Sequence, residues 1–172
     1  QITGAIREVD RLLQRIVDER LQTPQPKSAD FDKVQQERLR RVPEIRFLVT
    51  TDGQGRVTTA SSRNEAATTA RIRGIDLSHR EYFTVQRDAS GASRDSYFVS
   101  RPIVTAVTAT TTIVISRAIR DPKGRFEGIV AATLSQPYFH AVLETILPGD
   151  AAQALLVNTN GDILHARSDP AI

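Results

Sequence analysis

The chain has 172 residues, of which 40% are hydrophobic and 25% charged, a composition that permits a buried core and one domain of ordinary size plus a remainder. Its 23 basic residues, all Arg except Lys27, Lys33 and Lys123, outnumber the 20 acidic ones by only three. They are scattered from Arg7 to Arg167, so no massed stripe of the kind that grips nucleic acid exists.

The absence of Cys excludes disulfides, thiolate metal sites and a Cys nucleophile. His79, His140 and His165 stand apart without metal-ligand spacing, so no metal and no other cofactor is expected. No apolar run reaches the ~18 residues of a bilayer-crossing helix. No Met occurs, and the chain opens inside a helical pattern, as expected of a segment of a longer protein.

Ile2, Ile6, Val9, Leu13 and Ile16 recur at spacings of four and three, with Leu12, Val17 and Leu21 beside them and charges opposite. The pattern predicts an amphipathic helix of about 21 residues. Its apolar stripe packs on its own domain, or also on a second copy of the chain. Pro24 and Pro26 break this helix, and a second is expected over roughly Asp30 to Arg41, with Phe31, Val34, Leu39 and Val42 on its packed side and Pro43 at its end. Residues 45–50 and 56–60 flank Asp52-Gly53-Gln54-Gly55 and predict a β-hairpin whose glycines supply positive φ.

Residues 61–73 are small and polar and read as a surface loop with at most a short helix. Ser78 and Glu81 stand three apart, the spacing of a capping box, so a helix is expected from His79 to about Arg87. After a turn at 89–93, strands are expected at about 95–101, 110–120 and 126–135, then a helix from Pro137 to Leu147. The stretch Leu-Val-Thr-Thr-Asp-Gly at 48–53 is echoed by Leu-Val-Asn-Thr-Asn-Gly at 156–161. Either the echo is chance, or residues 151–172 begin a second, truncated copy of the module formed by residues 1–150.

A hydrolase needs a nucleophile, a base and an orienting acid. No Gly-x-Ser-x-Gly, His-Glu-x-x-His or glycine-rich phosphate loop occurs, so enzymatic activity is not expected. The helix start at 78–82 is more informative. Unpaired amides and the forked guanidinium of Arg80 in the first turn suit an anion; alternatively Arg80 bonds Asp76 or a nearby carbonyl and only fixes the loop. Alternation puts Thr111, Ile113, Ile115, Arg117 and Ile119 on one strand face, expected in the core. Thr110, Thr112, Val114, Ser116 and Ala118 share the other, which lines a cavity or faces solvent. In the preceding strand Ser96, Phe98 and Ser100 oppose Tyr97, Val99 and Arg101, and alternation alone does not say which set faces a pocket. Gly128, Ala131 and Ala132 keep the last strand small where a ligand or another element comes close.

Residues 74–139 read Gly-Ile-Asp-Leu-Ser-His-Arg-Glu-Tyr-Phe at 74–83, Asp-Ser-Tyr-Phe-Val-Ser-Arg-Pro-Ile at 95–103, and two strands joined by Asp-Pro-Lys-Gly-Arg at 121–125. This order resembles the Cache (PDC-type, double-Cache) extracytoplasmic sensor domains of bacterial membrane receptors. The resemblance implies an α/β (α+β) fold with a PAS-like central antiparallel sheet, long amino-terminal helices on one face and a ligand pocket on the other. It also implies Arg80 and Tyr82 at the ligand, Tyr97 and Ser100 as further candidates, and Phe83 in the core; Thr112 joins them from the Thr/Ser strand face. The final strand carries no Asp where amino-acid-binding relatives hold the ammonium, which favours a simple carboxylate.

The function so implied is small-molecule sensing in the periplasm by an inner-membrane histidine kinase or diguanylate cyclase. Flanking membrane segments would lie outside this sequence, and the receptor's own second copy would be a partner. The competing expectation is a ligand-free dimerisation module. A haem- or flavin-bearing PAS-like domain is a lesser expectation, since no His or Cys sits where such a group would be anchored.

Overall fold

Apolar side chains at helical spacing need an apolar surface to cover them, and a five-stranded antiparallel sheet supplies it. The computed structural model describes residues 2–22, 28–91, 94–138, 154–157 and 163–167. In chain order the elements are α1 Ile2–Gln22, α2 Ser28–Leu39, β1 Ile45–Thr51, β2 Val57–Ser62, α3 Ala66–Ile72, α4 Glu81–Asp88, β3 Phe98–Val99, β4 Ile103–Val104, β5 Thr111–Thr112, β6 Val114–Arg120, β7 Phe126–Leu134, β8 Ala154–Val157 and β9 Ile163–Arg167. The main sheet has the order β2-β1-β7-β6-β3; β4 with β5, and β8 with β9, form separate two-stranded sheets. The mixed α+β fold with a central antiparallel sheet is the expected one.

Two apolar clusters lie on the two faces of this sheet. Val9, Leu13 and Ile16 of α1 pack with Leu48, Ile115, Ile119 and Val130 on one face. Val49, Leu77, Tyr82, Phe83, Val114 and Ile129 pack on the other. Fully burying a Leu, Ile or Phe side chain stabilises by roughly 1.5–3 kcal/mol, so α1 is held chiefly by its apolar stripe. The alternation read along β6 holds, with Ile115 and Ile119 towards α1 and Val114 towards α4.

Several local expectations need correction. Val34 is 48% exposed, because the buried face of α2 runs through Phe31, Gln35 and Leu39 at spacings of four and leaves Val34 to one side. The single strand expected over 110–120 is broken at Ile113. Thr111 and Thr112 pair with β4, whereas from Val114 onward the chain pairs with β7, and Ile115 and Ser116 with β3. Of the strand expected over 95–101, Phe98 and Val99 are paired, and the Ser100 amide adds one bond to the Val114 carbonyl at 2.8 Å. Of the two hairpin glycines only Gly55 has positive φ, at 88°.

Near Gly128 the close neighbour is the end of β1 and not a ligand: a Cβ there would meet the Thr51 carbonyl. The helix expected from Pro137 begins with a helical turn at 136–138 and otherwise lies outside the described residues. Strands β8 and β9 pair antiparallel with each other and are not hydrogen-bonded into the main sheet.

Candidate functional site

The β1–β2 turn fixes the loop that carries Arg80. Asp52 accepts the amides of Gln54 and Arg56 at 3.0 and 2.9 Å and so closes the turn. The Gly55 carbonyl then accepts the Leu77 amide at 2.8 Å. A Cβ on Gly55 would lie 2.7 Å from Ser78 Cα, so the two segments meet backbone to backbone and glycine is required.

Within that loop the expected capping box does not form. Asp76 accepts the Ser78 amide at 2.8 Å and the Leu77 carbonyl accepts the Arg80 amide at 2.9 Å, so the chain turns through 76–80. The first helical residue of α4 is Glu81. Arg80 is the N-cap residue, with extended backbone at φ −79° and ψ 138°, and no side chain caps the helix. The Ser78 hydroxyl and then its amide hold the Asp76 carboxyl below its usual range, with Arg56 adding a smaller effect.

Helix α4 is stitched to β6. The Gln86 amide nitrogen donates to the carbonyls of Ser116 at 2.9 Å and Ser96 at 3.2 Å, and its oxygen accepts the Ala118 amide at 3.1 Å. The Ser116 hydroxyl donates to the Tyr82 carbonyl at 2.8 Å. Phe83 is buried edge-on against Phe126, centroids 5.4 Å apart, which is the core role expected of it.

Beside this fixed helix start lies a cavity of about 70 Å³, lined by Arg80, Tyr82 and the apolar side chains of Phe47, Val49, Leu77 and Val114. Ile103 and residues 105–108 line it too, from the β4–β5 hairpin, which forms a flap. Half-buried Arg80 forms no ion pair among the described residues, and its Nε is buried without a hydrogen-bond partner. Asp76, the partner that would have made Arg80 a mere loop brace, is engaged by Ser78 instead. Burial pushes the Tyr82 phenol above its usual range, and the nearby Arg80 guanidinium pulls the other way. A cation and a phenol thus converge on an apolar cavity, an arrangement able to hold a carboxylate by charge-assisted hydrogen bonds.

The other three candidates lie elsewhere. Tyr97 is 43% exposed with its ring 5.9 Å from the Arg117 guanidinium. The fully buried Ser100 hydroxyl donates to the Arg101 carbonyl at 2.7 Å and accepts the Val114 amide at 2.9 Å, so it serves the backbone. The Thr112 hydroxyl donates to the Leu134 carbonyl at 3.0 Å, in a different cleft with Arg46 and Ser135. The structure brings together Arg80 and Tyr82 only. It adds the flap, whose signal was the small Thr-Ala-Val-Thr-Ala-Thr run at 105–110 after the apolar pair Ile103-Val104.

No family model and no curated protein matches the chain. Solved structures do. The extracellular domain of histidine kinase rpHK1S-Z16 superposes with a TM-score of 0.82 at 24% identity, over 96% of this chain and 64% of that one. An extracellular ligand-binding receptor from Desulfohalobium retbaense gives 0.77 at 13% identity, over 95% of this chain and 28% of that one. The ligand-binding domain of the Pseudomonas fluorescens chemoreceptor CtaA, in complex with L-serine, gives 0.66 at 20% identity, over 95% and 64%. The chain thus spans less than two thirds of the length of each. It has the PDC-type fold of the extracellular ligand-binding domains of histidine kinases and chemoreceptors.

Proposed function

We propose that the chain is the extracytoplasmic sensing region of a bacterial inner-membrane receptor, and that it binds a small carboxylate through Arg80 and Tyr82 without catalysing a reaction. The observation that carries this reading is the half-buried Arg80, unpaired among the described residues, beside an apolar cavity. Solved structures of the same fold, named as complexes with L-serine, GABA and L-alanine, support it, each of those ligands being a carboxylate. No helix among the described residues is long and apolar enough to cross a membrane, so membrane attachment and the output domain, a histidine kinase or diguanylate cyclase, would belong to flanking sequence. Residues 151–172 would open a second module, and α1 would face the receptor's second copy.

Binding would act by population shift: a ligand that favours one arrangement of the flap and α4 moves the equilibrium by its difference in affinity for the two arrangements. The test is a melting screen with a carboxylate library. A ligand at about 100 times its Kd stabilises by ~2.7 kcal/mol, a readable shift. Arg80→Ala should abolish that shift with little change in the unliganded melting temperature. A library that gives no shift would leave the ligand-free dimerisation role.

A further inference from the structure

We propose that the ligand is a short apolar monocarboxylate that carries no ammonium group. The inference rests on the reading of Arg80 as an anion partner and narrows it. Among the described residues Arg80 is the one charged side chain lining the cavity, and neither Asp nor Glu reaches it. A monocarboxylate paired with Arg80 leaves the site neutral. A zwitterionic amino acid would bring an ammonium with no counter-charge, and a dicarboxylate would bring a second anion with no second cation; each is a buried, unpaired charge, which is costly.

Neutral acceptors for an ammonium are also scarce. Thr105 and Thr108 hydroxyls lie 2.5 Å apart, Thr108 and Thr110 hydroxyls 2.7 Å apart, and Thr105 also reaches the Thr110 carbonyl at 3.3 Å. The Thr133 hydroxyl accepts the Phe47 amide at 3.0 Å. The threonine hydroxyls at the cavity are thus engaged with protein groups, and apart from Arg80 and the Tyr82 phenol the rest of the wall, including Phe47, Leu77, Val49 and Val114, is apolar.

Size follows from the cavity. At ~10–15 Å³ of such space per water, 70 Å³ holds about five waters, which a carboxylate of about three to five carbons would replace. Ile103 and Val107 line the cavity from the flap, and on this proposal they limit the ligand's chain length.

Calorimetric titration of the 172-residue protein with matched pairs tests this: propionate against alanine, butyrate against 2-aminobutyrate, isovalerate against valine, with succinate and butyramide as controls. The expected result is binding of at least one monocarboxylate, with its amino-acid partner, succinate and the amide each at least tenfold weaker. An amino acid or succinate that binds as tightly as the matched monocarboxylate, and loses binding in Arg80→Ala, overturns this inference and leaves carboxylate sensing intact. If no carboxylate of any kind binds, the sensing assignment fails and the inference with it. Val107→Phe should weaken isovalerate at least fivefold more than propionate; an unchanged length preference would remove the flap from the specificity argument.

Discussion

Arg117 grips Asp10 through two guanidinium nitrogens, 2.6 and 3.1 Å from the carboxylate oxygens, and so ties β6 to α1. The preceding residue, Ser116, faces the other side of the sheet and donates to the Tyr82 carbonyl at 2.8 Å. One peptide unit of β6 therefore holds the cavity helix on one face and the long amino-terminal helix on the other. A shift of α4 on ligand binding has a short route to α1, through one hydrogen bond, one peptide unit and one ion pair.

Arg117→Ala removes the fork from a largely buried Asp10, and hydrogen bonds to charged groups are worth about 1.5–3 kcal/mol. Chemical denaturation should show a loss of that order. Ligand affinity should stay within about twofold, since Arg117 does not line the cavity, while ligand-dependent hydrogen-exchange protection of α1 disappears. Protection that persists in the variant would mean that the Asp10 fork is not the connection.

Gly55→Ala tests how the cavity loop is positioned. The residue has φ 88° and an added Cβ would sit 2.7 Å from both the Cα and the N of Ser78, so neither backbone conformation nor space accommodates it. Left-handed strain alone costs on the order of 1 kcal/mol, and displacement of residues 77–80 adds to that. The expected result is a lower melting temperature together with at least fivefold weaker ligand binding, both measured on the same preparation. A variant that binds normally would show that Arg80 does not depend on this contact.

The periodic elements were legible in the sequence because their causes are local. The three-and-four spacing of Val9, Leu13 and Ile16 gives α1 and its buried face, and the alternation of Val114, Ile115 and Ser116 separates the two sides of β6. The misplaced candidates fail for a non-local reason. Ser100 and Thr112 have hydroxyls suited to a ligand, but the Val114 amide and the Leu134 carbonyl claim them, and those partners are brought in by strand pairing. Ser78 and Glu81 carry the capping-box spacing, yet Asp76 takes the Ser78 amide first. The flap escaped notice because the switch of partners at Ile113 depends on β4 and β7, not on the residues of 110–120 themselves.

Alkaline titration probes Tyr82. Burial raises its phenol above the ordinary value of 10.0, so the folded state favours the neutral form. That preference contributes stability in full below pH 10, the unfolded value, and it is lost as pH rises through the higher folded value. Denaturation midpoints of the wild type should therefore fall more steeply above pH 10 than those of Tyr82→Phe. Parallel curves would place the phenol in contact with water.

Arg46 is the anchor of the flap. Its guanidinium pairs with Glu65 at 2.9 and 3.2 Å and also donates to the Thr110 hydroxyl at 3.1 Å, the last member of the Thr105–Thr108–Thr110 chain. Removing it leaves the β4–β5 hairpin, paired at two residues on each strand, fastened only at its base by Ile103 packing and the Thr112 hydroxyl bond to Leu134, and so short a hairpin is marginal by itself. Arg46→Ala should cost about 1 kcal/mol of global stability, since the pair is partly exposed. It should speed ligand dissociation several-fold in stopped-flow displacement and change the association rate less. Equal slowing of association would mean that the variant has collapsed the cavity instead of freeing the flap.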